Sequence, residues 1–401
     1  MLLWHILEKD TASLLNIKVK PSPMKTQSLY APDLAHLKAQ LAQLDFPASL
    51  AIVFASVAHD LPAIQAALQA QGLAVFGASS AGEILEAGGE ESVYEESIVA
   101  LLFDLSPAAF QVKLFEASSL SSAAAGEALG AWAKAAFASP ALLVMTSGLD
   151  TDGEAVLRGI LSQTGPLPLY GGLAGDDLKM QQTFVFDAGG ISPKGVLALA
   201  LDQDKVEVGG VASSGWQAVG SEKTITRSEG NVVYTIDHKP ALDVYEEYLG
   251  ITSNQQSATN TAITAEYPLR IIRQGYSVMR ASMLINPQDR SMIYAGAVPQ
   301  GSKVHFCVAP GTDIIDQALG DMRMLKESQP QADALVLFSC KGRHLALGPM
   351  AEDEVKPMQA LWGAPLIGFY TYGELGQGLG GQLDFHNNTC VLVTLREKTP
   401  A

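Results

Sequence analysis

Short apolar runs of five to seven residues recur along the chain in a fixed order. The first set is "LAIVFAS" (50–56), "LAVFGASSAGEI" (73–84) and "SIVALLFDL" (97–105); the second is "ALLVMTS" (141–147), "LPLYGGLAGDDL" (167–178) and "GVLALALD" (195–202). A third set reads "ALVLFS" (334–339), "APLIGFYTYGEL" (364–375) and "TCVLVTLR" (389–396). Runs this short, rich in Val, Leu and Ile, predict strands buried on both faces. Within each set the first two runs flank a stretch of helical period. In "DLPAIQAALQAQG", Leu61, Ile64, Ala67 and Leu68 share one face and Gly72 stops the helix. "DGEAVLRGILSQTG" has Asp152 as N-cap and Gly165 as stop, and in "EDEVKPMQALWG" Pro357 starts or kinks the helix.

Each copy therefore reads strand, helix, strand, glycine turn with an acid, strand. The crossover is right-handed and parallel, and the last strand returns antiparallel. The fold class is α/β, with mixed β-sheets built from three repeated modules. The stretch between the second and third copies differs: two strands meet across Glu229-Gly230-Asn231, and a helix is capped near Asp237 and ended by Gly250. Short β-like runs follow, separated by turns at Asn286-Pro287 and Pro299-Gln300-Gly301. Two domains are expected, 24–235 and 236–401, after an extension of doubtful order, 1–23, with Met24 as an alternative start.

Composition narrows the function. The 401 residues are 48% hydrophobic and 17% charged, as in a folded globular protein. A net charge of −16 without a basic cluster argues against nucleic acid, which needs a cationic face. No apolar run is long enough for a bilayer, and the N-terminus lacks the basic start of a signal peptide. Only Cys307, Cys340 and Cys390 occur, all in strand-like segments, so a disulfide framework is not expected and the cytoplasm is the expected compartment.

The turns carry the candidate chemistry. Copies one and three share Gly, four residues, Gly, acid: Gly77 to Gly82-Glu83, and Gly368 to Gly373-Glu374. Copy two, Gly171 to Gly175-Asp176, is one residue shorter. In open α/β sheets the crevice beyond the strand C-termini is the usual ligand site, so three such turns are expected to line one pocket. The competing reading is a structural turn whose acid caps an amide. Other lures are weaker. "GQGLGGQ" fits a dinucleotide fingerprint, but a turn and a strand follow it where a helix is required. Cys340 in "FSCKGRH" has Lys341, Arg343 and His344 beside it, the setting of an activated nucleophile, but spacing supplies no third group. His305 and Cys307 share a strand face and lack further metal ligands.

"VFGASSAGEI", "YGGLAGDD", "NVVYTIDHKPALDVYEEYLG", "LFSCKGRHLALG", "GFYTYGELG" and "HNNTCVLVTL" resemble, in order, the blocks of the FIST family of bacterial sensory proteins. The likeness covers roughly residues 45–396 and makes the two expected domains FIST N-terminal and FIST C-terminal. It implies a signal-transduction role without catalysis and small ligands such as amino acids. It also implies a partner of the histidine kinase or cyclic-di-GMP enzyme kind (diguanylate cyclase or phosphodiesterase). Some stand-alone members bind haem and report nitric oxide. Matching positions include Gly82, Glu83, Gly175, Asp176, Ser339, Gly342, Arg343, Tyr370, Tyr372, Gly373, Glu374, His386 and Asn387. His238 stands where the family pattern has glycine, and it leads His344 and His386 as an axial haem candidate. Among these residues Arg343 and Glu374, with Tyr370 and Tyr372 on one side, are expected to form a rim that clamps a zwitterion.

Overall fold

The computed structural model describes residues 24–117, 120–249, 267–273 and 275–399. The expected extension 1–23 and the helix stop at Gly250 lie outside the described residues.

All three modules form, in matching register. In copy one, Leu50–Ala55 runs parallel to Ala74–Ser79 across the helix Leu61–Gln69, and Ile98–Phe103 returns antiparallel on Leu50–Ala55. Copy two repeats this with Pro140–Thr146, Gly153–Thr164, Leu169–Leu173 and Gly195–Asp202. Copy three does so with Ala334–Cys340, Ala351–Trp362, Leu366–Thr371 and Cys390–Glu397. The helix starts follow local chemistry. Asp60 and Asp152 cap by accepting the amides of Ala63 and Ala155, and Gly165 and Gly363 close helices at positive φ. Pro357 sits in the middle of its helix, not at the start.

Each repeat begins one strand and one helix earlier than the apolar runs suggest. Thr26–Ala31, Phe110–Glu116 and Val206–Ser213 lie along the returning strands of copies one, two and three. The helices Leu34–Leu41, Ser122–Ala136 and Asp313–Ser328 then lead into the first buried strands. In copy three an additional eight-stranded sheet, Gln217–Val308, is inserted between that first strand and its helix. The boundary expected at 235 consequently falls inside a hairpin: Gln217–Glu229 pairs with Val232–Ile236, and Ile236 in turn with Lys239. The change of sheet comes between Ser213 and Gln217, where the chain leaves the third module.

The short strand after each glycine turn joins a different module. Glu83–Glu86 of copy one pairs with Leu366–Thr371 of copy three, with Glu83 opposite Phe369. Glu374–Gln377 of copy three pairs with Leu169–Leu173 of copy two, with Glu374 opposite Gly172. Val185–Phe186 of copy two pairs with Ala74–Ser79 of copy one, with Val185 opposite Ala78. The exchange closes a ring. In the described residues it yields three six-stranded sheets whose inner faces meet in one apolar core. At its centre Phe54 of copy one stacks on Phe369 of copy three at 4.4 Å, with Phe338 at 6.4 Å. Among the described residues no helix is long and apolar enough to cross a membrane.

Candidate functional site

The ring places the three glycine turns in mutual contact. Tyr370 donates its amide to the Gly82 carbonyl and accepts the Ala81 amide, so copies one and three interlock. Leu173 and Tyr372 join copies two and three: the Leu173 amide reaches the Gly373 carbonyl, and the Tyr372 amide the Leu173 carbonyl. Gly175 lies against Ala81, where a Cβ would stand 2.6 Å from the Ala81 nitrogen; only glycine allows that approach. Gly82 has φ +112°, a conformation that disfavours any side chain.

Where the three turns meet, the space is filled. Glu83 and Glu374 are fully buried and play the same role in two copies. Glu83 accepts the Ser80 hydroxyl on one oxygen, and the Ser97 amide and hydroxyl at 3.0 and 2.8 Å on the other. Glu374 accepts the Thr371 hydroxyl, and the Thr389 amide and hydroxyl at 3.3 and 2.6 Å. Burial pushes Glu83 up to about 7 and Glu374 up to about 8, against the opposing pull of these donors. Asp176 binds the loop that follows it, accepting the amides of Met180, Gln181 and Gln182 at 3.1, 2.7 and 3.1 Å, and the Tyr372 hydroxyl at 2.5 Å. All three acids fasten turns together. The competing structural reading describes them better than a ligand rim does.

The expected zwitterion clamp is not assembled. Arg343 is wholly buried and donates to Glu354, to the Ser214 carbonyl and to the Ile314 carbonyl at 2.9 Å, and none of these bonds goes to Glu374. Tyr370 and Tyr372 also part company. The strand ends at Thr371, so the alternation that would put both on one side no longer applies. Tyr370 goes to Gly82 and stacks on His344 at 3.9 Å, whereas Tyr372 reaches Asp176.

A cavity of about 410 Å³ opens beside this junction, beyond the C-termini of Ala334–Cys340 and Leu366–Thr371. The ring supplies Cys340, Lys341, Gly342 and Leu345 from one side, and Thr371, Tyr372 and Asn387 from below. The loop after Asp176 supplies Leu178, Lys179 and Met180; the inserted sheet closes the far wall with Ala281 to Leu284. Of the expected ligand residues only Tyr372 lines it, while Gly82, Glu83, Gly175, Asp176, Arg343, Tyr370, Gly373 and Glu374 stand behind or away from the wall. Sequence reasoning missed the inserted-sheet wall altogether, because nothing local ties Ala281–Leu284 to the third module. Asn387 was visible as part of the "HNN" block, but without a role.

The amide Nδ2 of Asn387 is the site's unspent donor. Asn387 is 0% exposed, its Oδ1 accepts the Ala281 amide at 3.4 Å, and its Nδ2 has no partner. Cys340 also lines the cavity, but burial pushes its thiol up, opposite to what an activated nucleophile needs.

None of the three candidate histidines offers an axial position in the apolar cavity. His238 is exposed in a turn at φ +65°, which accounts for the family's glycine there. His344 packs on Tyr370 with its Nδ1 3.0 Å from Lys341, and burial beside that cation lowers it to about 3. His386 is buried, is lowered to about 4 by burial, and has Nε2 on the Gly376 carbonyl at 3.1 Å. It faces a second cavity of about 640 Å³ that also holds Asp313, Asp316 and Asp321, not an apolar slot. No histidine lines the apolar cavity among the described residues. Nor do three or more His, Cys, Asp or Glu side chains gather as a metal site among them.

The fold is a ring of repeated α/β modules with a cavity between ring and inserted sheet, and comparison with known proteins gives its family. The FIST N domain matches residues 49–239 and the FIST C domain residues 241–377, so the chain belongs to the FIST family of sensory, signal-transduction domains. The seam between the two matched regions lies within the inserted sheet. Similar proteins include an uncharacterised protein of Methanocaldococcus jannaschii, 23% identical over 60% of this chain and 50% of the relative. An uncharacterised protein of Mycobacterium bovis is 25% identical over 45% of this chain and 48% of the relative. The chain spans about half the length of the curated relatives it matches.

Proposed function

We propose that the chain is a sensor whose small ligand binds in the 410 Å³ cavity and reports its presence by fixing the inserted sheet on the ring. One observation carries this reading: the cavity has walls from both bodies, so an occupant touches both at once. A ligand shifts an equilibrium only as far as it binds one arrangement better than another, and a molecule spanning a seam has that differential. Volume and position suit a ligand site at the ends of sheet strands. The receiver is a partner protein; the family resemblance supports a histidine kinase or a cyclic-di-GMP enzyme. The histidine placements weigh against the haem-based nitric oxide reading.

Thermal unfolding of wild type and Leu345→Trp against a panel of small metabolites tests this. Ligands that raise the wild-type midpoint by a few degrees and leave the filled-cavity variant unmoved are expected; at roughly 1,000-fold excess over Kd the gain is about 4 kcal/mol. A panel that stabilises both proteins equally would put binding elsewhere. A Soret band from haem bound equally by wild type and by His238→Ala, His344→Ala and His386→Ala variants would place the cofactor outside every histidine considered.

A further inference from the structure

The side chains around the cavity specify more than its volume. Its walls are apolar and adaptable: Met180 and Met283 are unbranched thioethers, and Leu178, Leu284 and Leu345 complete the lining. Lys179 and Lys341 also belong to the lining, and no acidic residue does among the described residues. Lys179 pairs with Asp177 at 3.4 Å and Lys341 with Glu95 at 3.1 Å, both outside the lining. Asn387 is a lining residue, and its unpartnered, buried Nδ2 lies against Gly373 at the cavity wall. A buried amide donor without an acceptor costs free energy, which a ligand oxygen would recover.

The outer end is the opposite. Leu178, Met180 and Leu284 are 45, 42 and 49% exposed, an unusual placement for large apolar groups side by side. Asp177, Leu178 and Met180 have φ of +54°, +60° and +52°, three left-handed residues within four positions. Such backbone persists only where surroundings impose it, and here Asp176 and Tyr372 do so. The strained loop presents apolar side chains at the mouth.

We propose, building on the ligand-binding reading above, that the cavity takes a medium-chain carboxylate. Its head accepts from Asn387 Nδ2 in the field of the two lysines, and its tail runs out between Met180 and Leu284. At roughly 30 Å³ per water-sized group the space holds on the order of a dozen heavy atoms. A free amino acid is a poor match, because its ammonium group finds no anion in the wall. The larger cavity, with Asp313, Asp316 and Asp321 in its lining, repels such a ligand, so the selection is local.

Calorimetric titration with decanoate, decanol and decylamine, each monomeric, decides the matter. Wild type is expected to bind decanoate about tenfold or more tighter than either analogue. Asn387→Asp keeps the acceptor for Ala281 but replaces the donor with an acid; Lys341→Met removes one cation at the wall. Each should weaken decanoate about tenfold while changing decanol less than about twofold. Leu345→Trp should abolish binding of all three. Should Asn387→Asp fail to fold, judged by its thermal transition, Lys341→Met carries the test. If decanoate binds no tighter than decanol, or neither polar variant discriminates, the carboxylate assignment falls while a Leu345→Trp-sensitive cavity still stands. If no probe binds, or Leu345→Trp changes nothing, the cavity reading falls with it.

Discussion

Glu83 and Glu374 each follow a hydroxyl residue by three positions and face a second one ahead of the returning strand, Ser97 and Thr389. Burial raises both, to about 7 and about 8, above an unfolded value of 4.5. The folded state therefore holds protons that the unfolded state has released between pH 4.5 and 8. Their contribution is fully present below pH 4.5 and is lost as pH rises through 7 and 8. The double variant Glu83→Gln, Glu374→Gln is expected to lose less stability between pH 5 and 9 than wild type, by on the order of a few kcal/mol in urea unfolding. Equal slopes would show that the two carboxyls titrate alike in both states. The glycine–acid motif was legible as a turn; its second hydroxyl, 14 or 15 residues downstream, was not. Arg343 was similarly ambiguous. Three acids in reach of its segment look equivalent in sequence, and only the fold selects Glu354 on the following helix.

At the scale of elements, the strands and helices of the three modules could be read because buried parallel strands and capped helices leave local signatures. Asp152 and Gly165 act where their spacing put them. The opening edge strands were missed because their pattern is weaker: Phe110–Leu114 alternates, with Gln111 and Lys113 exposed between less exposed neighbours, in place of a continuous apolar run. The helix Lys341–Leu347 was missed too, being too short to show a period. The loop 176–182 is the element most dependent on its surroundings. Its shape hangs on the Tyr372 hydroxyl, which accepts the Leu178 amide at 2.9 Å while donating to Asp176. Tyr372→Phe is expected to cost about 1.5–3 kcal/mol and to speed amide exchange in this loop about tenfold or more, leaving the sheets protected. Unchanged exchange at Leu178 and Met180 would mean that the loop holds its form without the tyrosine.

For the whole molecule, the chain divides into the two FIST regions, but sequence proximity hides which module each exchanged strand joins. Glu374–Gln377 and Leu383–His386 complete a sheet whose other four strands lie some two hundred residues earlier. A chain divided in the turn 203–205 should test the closure. The first piece leaves Leu169–Leu173 as a bare edge and Glu83–Glu86 with only Val93–Tyr94 beside it; exposed edges of this kind invite association. Neither piece alone should show a cooperative urea transition, and the two mixed should recover one. Independent folding of either piece would show that exchanged strands add little.

Stacked repeats that touch only their neighbours form solenoids, which grow by duplication and need terminal caps. Here each repeat is completed by another and the last serves the second, so there is no end to cap and nowhere to add a fourth unit. New material has entered instead as an excursion within a repeat, between Ser213 and Asp313. Variation in such an architecture is channelled into that excursion, whose strand Ser282–Asn286 also walls the cavity. On the proposed reading, recognition would diversify there while the closed scaffold stays constant.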